Sequence, residues 1–159
     1  FRSINLGEVE IMEPFSDVQK NEISKILKVF GFELIDDKKS KTIDKIKTVI
    51  IDLVQNKNND LKINLSNYLS QELHQDYNTL SNLFSEVENT TIEKYFINQK
   101  IEKVKELIIY DELSLSQIAY SLNYSTVSHL SNQFKKVTGF SPTYFKNIKT
   151  IKRKQIEDL

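Results

Sequence analysis

Asn82 and Asn132, each preceded by a serine, stand at the same place in two octapeptides, Leu80-Ser81-Asn82-Leu83-Phe84-Ser85-Glu86-Val87 and Leu130-Ser131-Asn132-Gln133-Phe134-Lys135-Lys136-Val137, which share five of eight residues. Amide and hydroxyl groups both donate and accept hydrogen bonds. In each copy Leu, Phe and Val fall at i, i+4 and i+7 and form one helical stripe, with Ser and Asn outside it. An apolar stripe packs, and the polar face beside it recognises a surface without reacting with it. Lys135 and Lys136 follow, and from Leu130 to Gln155 the chain also carries Lys146, Lys149, Lys152, Arg153 and Lys154 with no acid. Clustered ammonium groups next to a hydrogen-bonding face suit a polyanion, although a charge run alone also describes a solvated face and a frayed tail.

Covalent chemistry has little to work with. The 159 residues contain no cysteine and two histidines, His74 and His129, each within a helical repeat. No disulfide, thiolate metal site or cysteine nucleophile can form, and no phosphate loop or metal-ligand spacing occurs. Glu33, Asp36 and Asp37 read as a solvated linker. The sequence therefore predicts neither an enzyme nor a cofactor. Apolar runs such as Val49-Ile50-Ile51 are far too short to span a bilayer, so no membrane partner is expected, and a reducing cytoplasm is the simplest compartment. With 28% charged and 39% hydrophobic residues and a formal charge of +0, the chain is globular in composition, and its basic character is confined to one end.

The polar faces need helices to carry them. Leu115, Ile118, Ala119 and Leu122 pattern a short helix capped by Ser114 or Ser116, and Asn123-Tyr124-Ser125 break the chain before the helix of Leu130, Phe134 and Val137. This is helix-turn-helix patterning, which a DNA-binding unit and a generic helical hairpin would share. Ala119 suits a close helix crossing, and Asn123 suits a left-handed turn. Leu65, Tyr68, Leu69 and Leu73 begin the first copy. A long helix from about Ile92 to Tyr110 joins the copies, separating them by roughly 25–30 Å at 1.5 Å per residue. Two copies are too few for a solenoid.

Upstream, Ser3-Ile4-Asn5-Leu6-Gly7-Glu8-Val9-Glu10-Ile11-Met12 alternates about a Gly-Glu pair and predicts a hairpin. Ser16-Asp17 caps a helix with Ile23, Ile26, Leu27 and Phe30 on one face; Gly31 ends it and a strand is expected at Phe32-Glu33-Leu34-Ile35. Such a β-β-α-β unit matches the later part of a ferredoxin-like fold whose first strand and helix would precede Phe1, as the start inside a strand-like pattern also suggests. The expected organisation is a partial α+β unit over 1–37, a connecting helix and loop over 38–60 and a helical module over 61–159. The expected fold is thus mainly α, a double helix-turn-helix module preceded by a small ferredoxin-like unit.

Ala119, Asn123-Tyr124, His129-Leu130, Phe134-Lys135-Lys136, Gly139, Ser141-Pro142 and Tyr144-Phe145-Lys146 resemble the C-terminal signature of the AraC/XylS family of bacterial transcription regulators. The resemblance implies two helix-turn-helix units on a connecting helix over about residues 61–148, with double-stranded DNA as the partner. It further implies that the helix 126–137 enters the major groove and presents Val127, Ser128, Ser131 and Asn132 to base edges. Asparagine pairs bidentately with adenine and valine meets a thymine methyl. His129 is a candidate for phosphate or base contact or for packing, and Lys135, Lys136 and Lys146 for phosphate neutralisation. The corresponding face of the first unit is Tyr77, Asn78, Thr79, Ser81 and Asn82. Gly139, Ser141 and Pro142 read as a helix stop, a cap and a first-turn residue, and Phe134 and Phe145 as core.

The chain departs from the family pattern at Asn123, where a turn glycine is usual, at Leu130, where an aromatic is usual, and at Asn132, where an arginine is frequent. Where the second copy has Lys135-Lys136 the first has Ser85-Glu86, with Glu88 and Glu93 nearby. That face is expected to repel phosphate, leaving the second unit to dominate affinity. The N-terminal unit is a candidate for sensing an effector or for homodimer assembly through an open sheet edge. The paired cysteines of the heavy-metal-associated version of that unit are not in this chain. The other reading is a protein-interaction module that keeps the fold with weak or no DNA binding.

Overall fold

The structure is a computed structural model and describes residues 3–5, 8–10, 15–32, 34, 37–57 and 63–148. The chain forms two compact units, Phe1–Asp37 and Lys38–Leu159.

In the first unit β1 (Ser3–Asn5) and β2 (Glu8–Glu10) pair antiparallel with Ile4 opposite Val9. The intervening Leu6 and Gly7 lie outside the described residues. Helix α1 (Asp17–Val29) starts at Ser16, whose hydroxyl accepts from the Gln19 amide while the Gln19 side chain accepts from the Ser16 amide, a reciprocal cap. It ends with Gly31 in the left-handed conformation, the Gly31 amide donating to the Lys28 carbonyl and the Phe32 amide to the Leu27 carbonyl at 2.9 Å. That ending takes Phe32 out of the expected third strand, of which Glu33 and Ile35 lie outside the described residues. The Phe32 amide closes the helix and has no proton left for a ladder, and Phe32 and Leu34 lie in no strand. Nor does α1 bury any residue: Ile26 is 59% exposed, and the C-cap Phe30 is 72% exposed. Among the described residues the ferredoxin-like β-β-α-β unit is not seen, and the homodimer through its sheet edge is unsupported.

The second unit is helical. Its described residues comprise α2 (Asp37–Gln55), α3 (Leu65–Leu73), α4 (Tyr77–Glu88), α5 (Ile92–Tyr110), α6 (Leu115–Ser121), α7 (Val127–Thr138) and α8, described over 142–148. Two cores hold it together. In one, Ile43, Ile46 and Ile50 of α2 meet Leu69, Leu80, Phe84 and Ile92, with Tyr95 and Phe96 against them. Segment 38–60 is therefore more than a connection, since α2 supplies one wall of this core. In the other, Ile101, Val104 and Ile108 meet Ile118, Ala119, Leu122, Tyr124, Leu130 and Phe134, with Ile97 and Phe145 against them.

Helix α5 serves both cores. Ile92, Tyr95 and Phe96 belong to the first, and Ile97, Ile101, Val104 and Ile108 to the second. At about 100° per residue these two sets point roughly 150° apart round the helix axis. The repeated stripe packs as its spacing predicts at Leu80, Phe84, Leu130 and Phe134, all fully buried, but Val137 remains 41% exposed. Helix ends fall where short polar residues tolerate positive φ, at His74 (52°), Asn89 (52°), Asp111 (55°) and Asn123 (56°).

Among the described residues one charged side chain lies inside. Lys100, on α5 at the seam between the cores, is 7% exposed, with its Nζ 3.7 Å from the Tyr124 ring centroid and 5.8 Å from that of Phe96. The ring faces return part of the hydration it loses. Burial still pulls its pKa down from 10.5 to about 8.

Two outcomes follow from this packing. Phe134→Ala should cost about 3–5 kcal/mol through lost burial and a residual cavity, measured by urea denaturation. The folded chain also binds the Lys100 proton less tightly than the unfolded chain, so the penalty is complete below about pH 8 and is relieved as pH rises toward 10.5. Urea midpoints should therefore rise from about pH 8 to 10, and Lys100→Met should flatten that rise.

Candidate nucleic-acid interface

Helix α7 begins at Thr126, whose Oγ1 accepts from the His129 amide at 3.0 Å, and ends at Gly139 (φ 82°), with Lys135 and Lys136 in its last turn, where the helix dipole favours cations. Leu130 and Phe134 hold it to the core, and Phe145 of α8 packs edge-on to Phe134 at 5.6 Å. Helix α8 is placed by Ser141, whose Oγ accepts from the Tyr144 amide at 3.2 Å, and by the buried Pro142 in its first turn.

With the apolar side fixed, the opposite side is determined. Ser128, His129, Asn132, Lys135 and Lys136 are exposed. Ser128, Asn132 and Lys136 lie four residues apart and form one outward line. Val127 and Ser131 are half-buried, and Val127 packs against the second core, so both sit at the margin of the exposed face. Lys146 is hydrogen-bonded to Asp111 at the end of α5, which ties α8 to α5.

His129 belongs to a small cluster at the start of α7. Its Nδ1 lies 3.2 Å from Ser125 Oγ, and its ring meets Tyr124 edge-on at 5.3 Å. The Tyr124 hydroxyl donates to Gln133 Oε1 at 2.7 Å, and burial pushes that hydroxyl's pKa upward. The turn residue Tyr124 thus joins Lys100 beneath it to two residues of α7. The sequence offered a signal for Lys100, a lysine three residues after Ile97 and four before Val104, and none for the Tyr124–Gln133 bond.

Helix α4 repeats the arrangement. Asp76 caps it, accepting from the Thr79 amide at 3.2 Å, and Leu80 and Phe84 anchor it, leaving Asn78, Thr79 and Asn82 exposed and Ser81 half-buried. Tyr77 does not join them. It is half-buried and its hydroxyl donates to the Glu93 carboxylate on α5. Burial, then the Glu93 bond, push the Tyr77 pKa up, and the same bond holds Glu93 below the usual carboxylate value. Tyr77 and Val127 occupy the same position in the two copies, and both are half-buried against the core of their own unit. The acids of α4 are also paired from α2, with Lys39 Nζ 3.0 Å from Glu86 and Lys47 Nζ 2.8 Å from Glu88.

Two helix-turn-helix units built on one shared helix define the double helix-turn-helix fold of AraC-type DNA-binding domains. The chain belongs to the family described as "Helix-turn-helix domain", which residues 69–148 match. Among solved structures it is similar to the C-terminal domain of AraT, a response regulator from Geobacillus stearothermophilus, at 21% identity over 67% of this chain and 84% of that one, with a TM-score of 0.58. The DNA-binding domain of AdpA, solved in complex with a target DNA, matches at 13% identity over 76% of this chain and 99% of that one, with a TM-score of 0.57. A regulator from Chromobacterium violaceum, described as an AraC-type DNA-binding domain-containing protein, matches at 14% identity over 69% and 89%, with a TM-score of 0.54. These likenesses establish the fold. No curated protein matches the chain.

Because Tyr77 braces α4 against α5, Tyr77→Phe should lower stability by about 0.5–1.5 kcal/mol in urea denaturation and leave any sequence preference of the chain unchanged.

Proposed function

We propose that this chain reads double-stranded DNA through the major groove mainly with α7, as a transcription regulator of the AraC type. The observation that carries this is the outward line Ser128, Asn132 and Lys136 on a helix whose opposite side is locked by Leu130 and Phe134. A rigid helix holds its polar groups in register with base edges, and an amide at its centre has the two-point geometry adenine offers. Ser128 is small enough to accept either base edge, and His129, steadied by Ser125 and Tyr124, stands beside it. Val127 and Ser131 border this line, where a methyl or hydroxyl meets a thymine methyl or a sugar edge. Lys135 and Lys136 neutralise phosphates and fix register without selecting sequence.

Helix α4 offers Asn78, Thr79 and Asn82 in the same frame, without adjacent lysines on its own surface. It makes the weaker contact, and the second unit carries most of the affinity. Lys146 contributes through the α8–α5 contact, since its ammonium group is held by Asp111.

Selection from a random duplex library by the purified chain, repeated at two salt concentrations, tests the reading. An enriched motif is expected. Asn132→Ala should change the preference at one base position, with a discrimination loss of about 1–3 kcal/mol. Lys135→Ala and Lys136→Ala should weaken binding to all sequences and each reduce the salt slope by about 1. Failure to enrich any motif would instead favour a protein-interaction module.

A further inference from the structure

The fifty-residue offset that sets α4 against α7 places Glu86 where the second unit has Lys136. Asn78, Asn82 and Glu86 form an exposed line on α4, as Ser128, Asn132 and Lys136 do on α7. The first unit's line therefore ends in a carboxylate at the point where the second ends in an ammonium group. A bare carboxylate about 4 Å from a phosphate in water would reduce an association constant by about fivefold.

Lys39 answers that charge. Its Nζ lies 3.0 Å from Glu86 Oε1, both side chains being about half exposed, 47% and 55%. The lysine reaches this point because Ile43, Ile46 and Ile50 of its own helix are buried in the core that also buries Leu80 and Phe84 of α4. Lys39 lies four residues before Ile43 and seven before Ile46, on the side of α2 that meets α4. A second bridge, Lys47 to Glu88 at 2.8 Å, fixes the two helices in the same relation. Helix α2 ends before residue 69, where the family match begins.

We propose that α2 is part of the DNA interface, with Lys39 masking Glu86 so that the line Asn78–Asn82 can approach the phosphate backbone. The inference rests on the DNA reading above and adds to it a residue whose role is electrostatic masking at a neighbouring helix. The expected phosphate repulsion by the acidic first unit is thereby cancelled at Glu86 from outside the unit's own helix-turn-helix.

The test is anisotropy of the full chain on its selected duplex at two salt concentrations. Lys39→Ala should weaken binding by about fivefold at low salt, with a smaller effect at high salt. Lys39→Ala combined with Glu86→Ala should restore the affinity of the unaltered chain, since the exposed carboxylate is then gone. Glu86→Lys, which copies the second unit, should tighten binding and steepen the salt slope by about 1. The bridge is exposed and contributes little to folding, and unchanged thermal unfolding of each variant checks this. Unchanged affinity in Lys39→Ala, or a loss that persists in the double variant, would overturn the inference and leave the DNA reading standing. If the unaltered chain selects no duplex, the DNA reading falls and this inference with it.

Discussion

Helix α5 must be apolar on two nearly opposite sides, and the arrangement of the second unit depends on that constraint. Ile92, Tyr95 and Phe96 close one core, and Ile101, Val104 and Ile108 close the other. A helix with a single stripe would support one helix-turn-helix and leave its partner unanchored. Lys100 stands where the two allegiances meet, with Phe96 of one core and Tyr124 of the other against its ammonium group. A cation at this seam is costly to bury but is held by rings from both sides.

Charge is distributed by helix and not by unit. The formal charge of +0 conceals a basic end on α7 and a set of acids on α4 that are paired by lysines of α2. A helical surface facing nucleic acid needs its own cations or a neighbour that removes its anions. The two copies differ in this respect, α7 carrying its own lysines and α4 having acids paired from α2, which is how similar octapeptides carry different electrostatics on the same scaffold.

Much of the second unit was legible because helical periodicity and capping chemistry are local. The span of α5, a serine cap at one of the two candidates, Ser114, the left-handed Asn123 and Gly139 and the burial of Leu80, Phe84, Leu130 and Phe134 all follow from neighbouring residues. What was not legible depended on partners distant in sequence. Tyr77 looked like part of a reading face because its spacing allowed it, yet Glu93 holds it inward. The Lys39–Glu86 bridge spans forty-seven positions, and no pattern within either helix announces it. At the N-terminus, alternation around Phe32 suggested a strand, and the backbone closure at Gly31 took its amide first.

The two-sided helix also fixes a phase. Each α-helical residue advances about 1.5 Å and turns about 100°. Gaining or losing a single residue between Phe96 and Ile101 would swing one recognition helix by more than a quarter turn relative to the other, while barely altering their separation. Point substitutions can drift along α5 and retune either core, but a change of its length would rotate one helix-turn-helix unit against the other in a single step.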